Sequence, residues 1–273
     1  MTATHLQRPR MSPAALAAWL CVLFLLLPIL VVAPFSVTPH RYLSFPTDGL
    51  SLRHYQALLE GAWLRSIGDS LIVALGATAL AVLLGASLAI AIWRLPGRLP
   101  RAMRVLALAP LIVPGIIHAL GYYRALAYFG LLDTYAGIIL VHGLKAMPFV
   151  FISVTAVLLG LNQNLDQAAQ SLGASQWQAI RLVVLPNITG GLLSGAFLAF
   201  ITSWDEVVVA IFITGRNVHT LPKLIWESLV DNLDPAVAAL ATIMIAATAS
   251  AVIWRELVKK PARHLRPHPS QES

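Results

Sequence analysis

Charge is what this sequence has least of. Only 11% of its 273 residues are Asp, Glu, Lys or Arg, against roughly 25% in an ordinary soluble domain. A surface so poor in charge cannot be hydrated as a soluble globule. That excludes a cytosolic enzyme, a secreted domain and a disordered chain. Cysteine is nearly absent too. Cys21 stands alone inside an apolar run, so no internal disulfide is available, and it reads as a small lipid- or helix-facing hydrophobe. No cluster of His, Cys and carboxylates has metal-ligand spacing. No glycine loop followed by Lys and Ser/Thr is present to cradle a phosphate. The chain itself is therefore expected to bind neither a metal nor a nucleotide.

What is there instead is apolar surface in long uncharged runs: 58% hydrophobic residues and a mean hydropathy of +0.76. A transmembrane helix needs roughly 20 mostly apolar residues. Six runs qualify: Ala14–Val32, Ser70–Trp93, Val105–Tyr123, Ala136–Leu159, Gly191–Thr214 and Ala236–Trp254. The expected fold is all-α, a polytopic membrane protein with a single six-helix domain over 14–258. Residues 1–13 and the basic tail 259–273 are expected to lie outside it, the tail disordered. The first run is too long for a signal-peptide core and reads as a retained anchor. Pro110, Pro114 and Gly115 should kink or break the third span.

The net charge of +7 is read as membrane orientation and not as nucleic-acid binding. With six spans both termini share a side. That side carries twelve Lys/Arg against six opposite, with Arg94, Arg98, Arg101 and Arg104 in one short loop. By the positive-inside rule it is cytoplasmic. On the outer side, Leu52, Tyr55, Leu58 and Leu59 suggest a short surface helix within Ser51–Leu64. Gly215–Pro235 is long for a loop, either folded into the mouth of a pathway or lying on the interface.

The cytoplasmic stretch of about 162–186 is too polar for lipid and too patterned for a linker. Asn164 can cap a helix Leu165–Leu172, with Ala168 and Ala169 giving a closely approachable face. Gly173 ends it. Ser175 can cap a second helix carrying Trp177, Ile180 and Val184, which Pro186 stops. Such an elbow suits docking into a groove on a soluble partner, or lies on the membrane as an amphipathic hairpin.

Gln167-Ala168-Ala169, Gly173 and Val183-Val184-Leu185-Pro186 resemble, with matching spacing, the EAA loop of bacterial ABC importer permeases. The family's acidic first position is Gln167 here, with Asp166 one place earlier and about 100° away on a helix. Ser203-Trp204-Asp205-Glu206-Val207-Val208-Val209, Phe212-Ile213-Thr214-Gly215 and Thr220-Leu221-Pro222 are similar to the second permease subunit of spermidine/putrescine-type importers. The resemblance implies a type I importer fold in the bacterial inner membrane. It implies a second permease, two ATPase copies carrying ATP and Mg, and a periplasmic substrate-binding protein. Asp166, Gln167, Ala168, Ala169, Gly173, Ala174, Trp177, Leu185 and Pro186 would then serve ATPase coupling. A polyamine is the implied cargo, with another small solute (an aminophosphonate or amino-acid derivative) as the alternative. A lone ion-coupled transporter would not need the elbow.

Ionisable residues inside spans are costly and mark function. Lys145 and Asp205 each lie nine residues from the outer ends of their spans, roughly 13 Å deep at 1.5 Å per residue. Glu206 adjoins Asp205, and His142 lies one turn outward of Lys145. Either the acids line a pathway for a cation, or Lys145 pairs with one of them and joins two helices. Both hold if the acids face different directions. His118 reads as an interhelical hydrogen-bonding residue.

Overall fold

The computed structural model describes residues 13–231 and 233–258, so expectations for the N-terminus and the tail from Lys259 lie outside the described residues. The helices are α1 (Pro13–Ser36), α2 (Arg53–Ala57), α3 (Gly61–Arg94), α4 (Leu99–Ile112), α5 (Gly115–Tyr128), α6 (Tyr135–Gly160), α7 (Gln163–Ser171), α8 (Gln176–Ala179), α9 (Leu185–Asn187), α10 (Thr189–Trp204), α11 (Val208–Ile213), α12 (Leu221–Asp231) and α13 (Pro235–Val258). No strand occurs among the described residues. Four helices, α1, α3, α6 and the stretch Pro235–Arg255, are long and apolar enough to cross a membrane, or six spans if two bent pairs are counted.

The chain forms two compact units. In the first, made by residues up to Leu59 and those after Asp231, α1 packs along α13. The turn after α1 is tied by Ser36 Oγ to Tyr55 OH at 2.7 Å and by Leu43 N–H to Leu233 O at 3.1 Å. The expected surface helix is short, reduced to α2.

The second unit, Glu60–Asp231, is built on α3, α6 and α10. Its core is Phe151, Val150, Val154 and Leu158 of α6 against Ala81, Ala86 and Ala89 of α3 and Ala199 of α10. The α6–α10 crossing is close because Gly195 faces Val150: a Cβ there would sit 2.8 Å from Val150 Cα.

The second and fifth spans differ from expectation, and the third breaks as expected but begins earlier. α3 begins nine residues before Ser70 and runs through Asp69, because that carboxylate is satisfied in place by Tyr135 OH (2.7 Å) and His219 N–H (2.9 Å). The helix need not stop at the charge. The third span is broken: α4 and α5 meet at 105°, with Pro114 the N-cap of α5. α4 also starts at Leu99, so Arg101 and Arg104 lie on a helix and not in a loop. The fifth span is not continuous over Gly191–Thr214. α10 ends at Trp204, Asp205 to Val207 form a break, and α11 follows.

Candidate functional site

The break in the fifth span is a consequence of its acids. Glu206 turns inward, 8% exposed. Its Oε1 accepts the Val209 N–H at 3.0 Å, capping α11, and its Oε2 pairs with Lys145 Nζ of α6. The β-branched run Val207–Val209 helps little to continue a helix across this point. Asp205, the C-cap of α10, points elsewhere. It is exposed, and its carboxylate has no partner among the described residues. The two acids of the sequence are thus separated by fold: one paired and structural, one free.

The break in the third span comes to the same place. A Cβ on Gly115 would lie 3.8 Å from both Lys145 Nζ and Val208. α5, which carries His118, packs on α11. His142 does not line an open surface. It is 2% exposed and its Nδ1 meets Ser203 Oγ at 2.9 Å, inside the α6–α10 contact. Its place is helix joining, because a ring this enclosed cannot meet a solute without parting the two helices.

The elbow between α6 and α10 has the expected outline with different ends. Asn162, not Asn164, caps α7, accepting the Asn164 N–H at 2.9 Å. Gly173 sits at φ +92, and Ser175 with Gln178 forms a reciprocal capping box on α8. Pro186 does not stop the second helix. The turn Ile180–Val184 widens into a π-helix, with Leu185 N–H bonding Ile180 O, and the chain continues through α9 before bending 72° into α10. Widening the turn relieves the clash a proline ring makes with the preceding carbonyls.

Asp166 is buried and pairs with Arg94 of α3, with Gln170 Nε2 also donating to it at 3.2 Å. It holds the elbow to α3. Gln167, Ala168 and Gly173 stay exposed, as do Leu172 (90%) and Trp177 (66%). Ala169, Ala174 and Leu185 are half-buried, and Pro186 is exposed.

Sequence reasoning missed the clamp on Asp133. The Asp133 carboxylate accepts four backbone N–H groups, from Gly215, Arg216, Asn217 and Val218, at 2.6 to 3.1 Å. Ser70 Oγ takes the Leu221 N–H at 2.8 Å. An Asp ahead of a helix reads as a cap, yet Thr134 caps α6 here; nothing local shows that Asp133 reaches a segment eighty residues on. Burial would raise the Asp133 carboxyl, and the four N–H donors outweigh it and hold it below its ordinary value. Its contribution to stability is full above the unfolded value of about 3.9 and is lost as pH falls through the lower folded value. Asp133→Asn should therefore flatten the acid limb of unfolding below about pH 4, read by circular dichroism of the purified chain in detergent. An unchanged acid limb would exclude the clamp.

Residues 7–264 match the family described as "Binding-protein-dependent transport system inner membrane component". The chain is 28% identical over 242 residues to the spermidine/putrescine transport system permease protein PotC of Haemophilus influenzae, covering 88% of this chain and 94% of that one. It is 32% identical over 236 residues to the sulfate transport system permease protein CysT of Salmonella typhimurium, covering 83% of each. In fold it is similar to a chain of a bacterial ABC transporter involved in the import of the acidic polysaccharide alginate. The TM-score is 0.67 at 15% identity, over 93% of this chain and 99% of that one.

Proposed function

We propose, from the premise that this chain belongs to the family of binding-protein-dependent transport system inner membrane components, that it forms half of a translocation pathway for a small cationic solute of the polyamine class. It is an ABC importer permease, a transport subunit and not an enzyme, and a multi-pass membrane protein. The observation that carries the cationic reading is Asp205. It is an exposed carboxylate without a partner among the described residues, at a helix break where the neighbouring acid is already neutralised by Lys145. One net negative group suits weak, transient contact with an amine; two would hold it too tightly for release. The spermidine/putrescine relative supports the same class, and the sulfate relative is the reason uptake must be compared directly.

In this reading a second permease completes the pathway and a periplasmic binding protein delivers the solute. Two ATPases with ATP and Mg dock on the coupling loops of the two permeases, one of them on the exposed elbow formed here by Gln167, Ala168, Leu172, Gly173 and Trp177. The test is uptake of labelled spermidine, putrescine and sulfate by cells expressing the chain with the transport subunits encoded beside it. Spermidine or putrescine uptake that depends on this chain is expected. Sulfate uptake alone would overturn the cationic reading.

Both termini are cytoplasmic in this arrangement, with Arg94–Arg104 inside and Gly215–Pro235 outside. In a Cys21→Ala background, Arg98→Cys and Asn217→Cys should label from opposite faces with a membrane-impermeant maleimide. Labelling of position 98 in intact cells would reverse the orientation.

A further inference from the structure

Along the cytoplasmic half of α3, Val82, Ala86, Ile90 and Arg94 recur every four residues and so share one face. With Ser87 on the adjacent row they wall a cavity of about 830 Å³, whose opposite side is the elbow with Trp177. That volume is in the range of about 300–1,000 Å³ typical of small-molecule sites. Val82 to Arg94 spans roughly 18 Å at 1.5 Å per residue, close to the ~15 Å hydrocarbon depth of one leaflet. The cavity is apolar along its length and polar at the cytoplasmic end.

Arg94 and Asp166 line that end and pair with each other, and the chain segments to which they belong carry a net positive charge. The segments 94–104 and 161–188 contain Arg94, Arg98, Arg101, Arg104 and Arg181, against Asp166 as their one acid. Arg94 answers Asp166, yet its Nε is buried without a partner among the described residues. The other four arginines are exposed, and none has an ion-pair partner among the described residues. We propose that the cavity holds an acyl chain of one anionic phospholipid from the cytoplasmic leaflet, with its phosphate set among these arginines. A water-soluble phosphate compound would satisfy the arginines and leave the apolar wall uncovered. An uncharged lipid would cover the wall and leave the arginines unanswered. The bound lipid braces the elbow against α3 beside the Arg94–Asp166 pair. The inference rests on the cytoplasmic orientation proposed above and is independent of the transported solute.

The test uses the purified full-length chain in phosphatidylcholine nanodiscs doped with phosphatidylglycerol brominated on its acyl chains. Brominated phosphatidylcholine at the same mole fraction is the control. Bromine quenches nearby indoles, and the difference between the native chain and Trp177→Phe isolates the share of Trp177. Brominated phosphatidylglycerol should quench that share and brominated phosphatidylcholine should not. Arg98→Gln and Arg101→Gln should each weaken the preference roughly fivefold, as expected for one arginine near an anionic surface. Ser87→Phe, which fills the cavity from an exposed position, should abolish the quenching. Equal quenching by both lipids, none by either, or quenching that survives Ser87→Phe overturns the site. None of these outcomes bears on ATPase capture or solute uptake, so the two readings fail separately.

Discussion

Lys145→Met is expected to destabilise the chain by about 3–5 kcal/mol, because it strands the buried Glu206 carboxylate without its cation. The loss should show as a lowered midpoint of thermal unfolding in detergent and a fall in the yield of assembled transporter. Glu206→Gln should be milder, since the amide oxygen can still accept the Val209 N–H that begins α11. The double variant Lys145→Met/Glu206→Gln removes both charges together and should recover most of the stability, since no uncompensated charge remains. If Lys145→Met unfolds like the native chain, the pair does not hold α6 to the broken fifth span. Asp205→Asn separates structure from transport. Asp205 has no partner to lose among the described residues, so assembly should be unchanged while uptake of labelled spermidine falls severalfold. Normal uptake by an assembled Asp205→Asn complex would remove the pathway role from this residue.

Gly173→Val is expected to abolish transport while leaving the protein in the membrane. The reason is backbone and not packing. A Cβ at Gly173 would meet nothing within 4 Å, yet the residue sits at φ +92. A β-branched side chain disfavours that conformation by at least about 1–2 kcal/mol. The turn would relax toward negative φ and swing α8 relative to α7, misplacing Leu172 and Trp177 together. Gly173→Asn, which tolerates the left-handed region better, should retain more function than Gly173→Val. Pull-down of the partner ATPase and uptake in the same cells read the effect. Undiminished ATPase association together with normal uptake in Gly173→Val would remove the elbow from coupling.

The long apolar runs dictated the class on their own: chains this poor in charge have one solvent available to them. The spacing Gln167-Ala168-Ala169 to Gly173 to Leu185-Pro186 was legible for a related reason. Caps and left-handed glycines are local, and their partners lie within a few residues, as Ser175 and Gln178 show. The same locality made Pro114 and Gly115 readable as a break. Even here the ends shifted. Asn162 took the cap expected of Asn164, and a π-turn carried the helix past Pro186.

The placing of charge was different. The sequence brought Lys145, Asp205 and Glu206 to one depth, since depth in a bilayer follows from counting residues along helices. Which acid meets the lysine depends on how α10 and α11 rotate about their break, and that is set by packing against α5 and α6. Asp166 in the elbow turns to Arg94, seventy-two residues away. Asp69 runs inside α3 because Tyr135 and His219 satisfy it, and Asp133 gathers four amides from the far side of the chain. Each is a carboxylate whose energetics depend on donors distant in sequence. A lone Asp or Glu carries no mark of where those donors will be, because a charge interacts through space while a sequence records only neighbours along the chain. Helices, caps and spans could therefore be read in one dimension; the assignment of Asp69, Asp133, Asp166 and Glu206 was made by tertiary contacts.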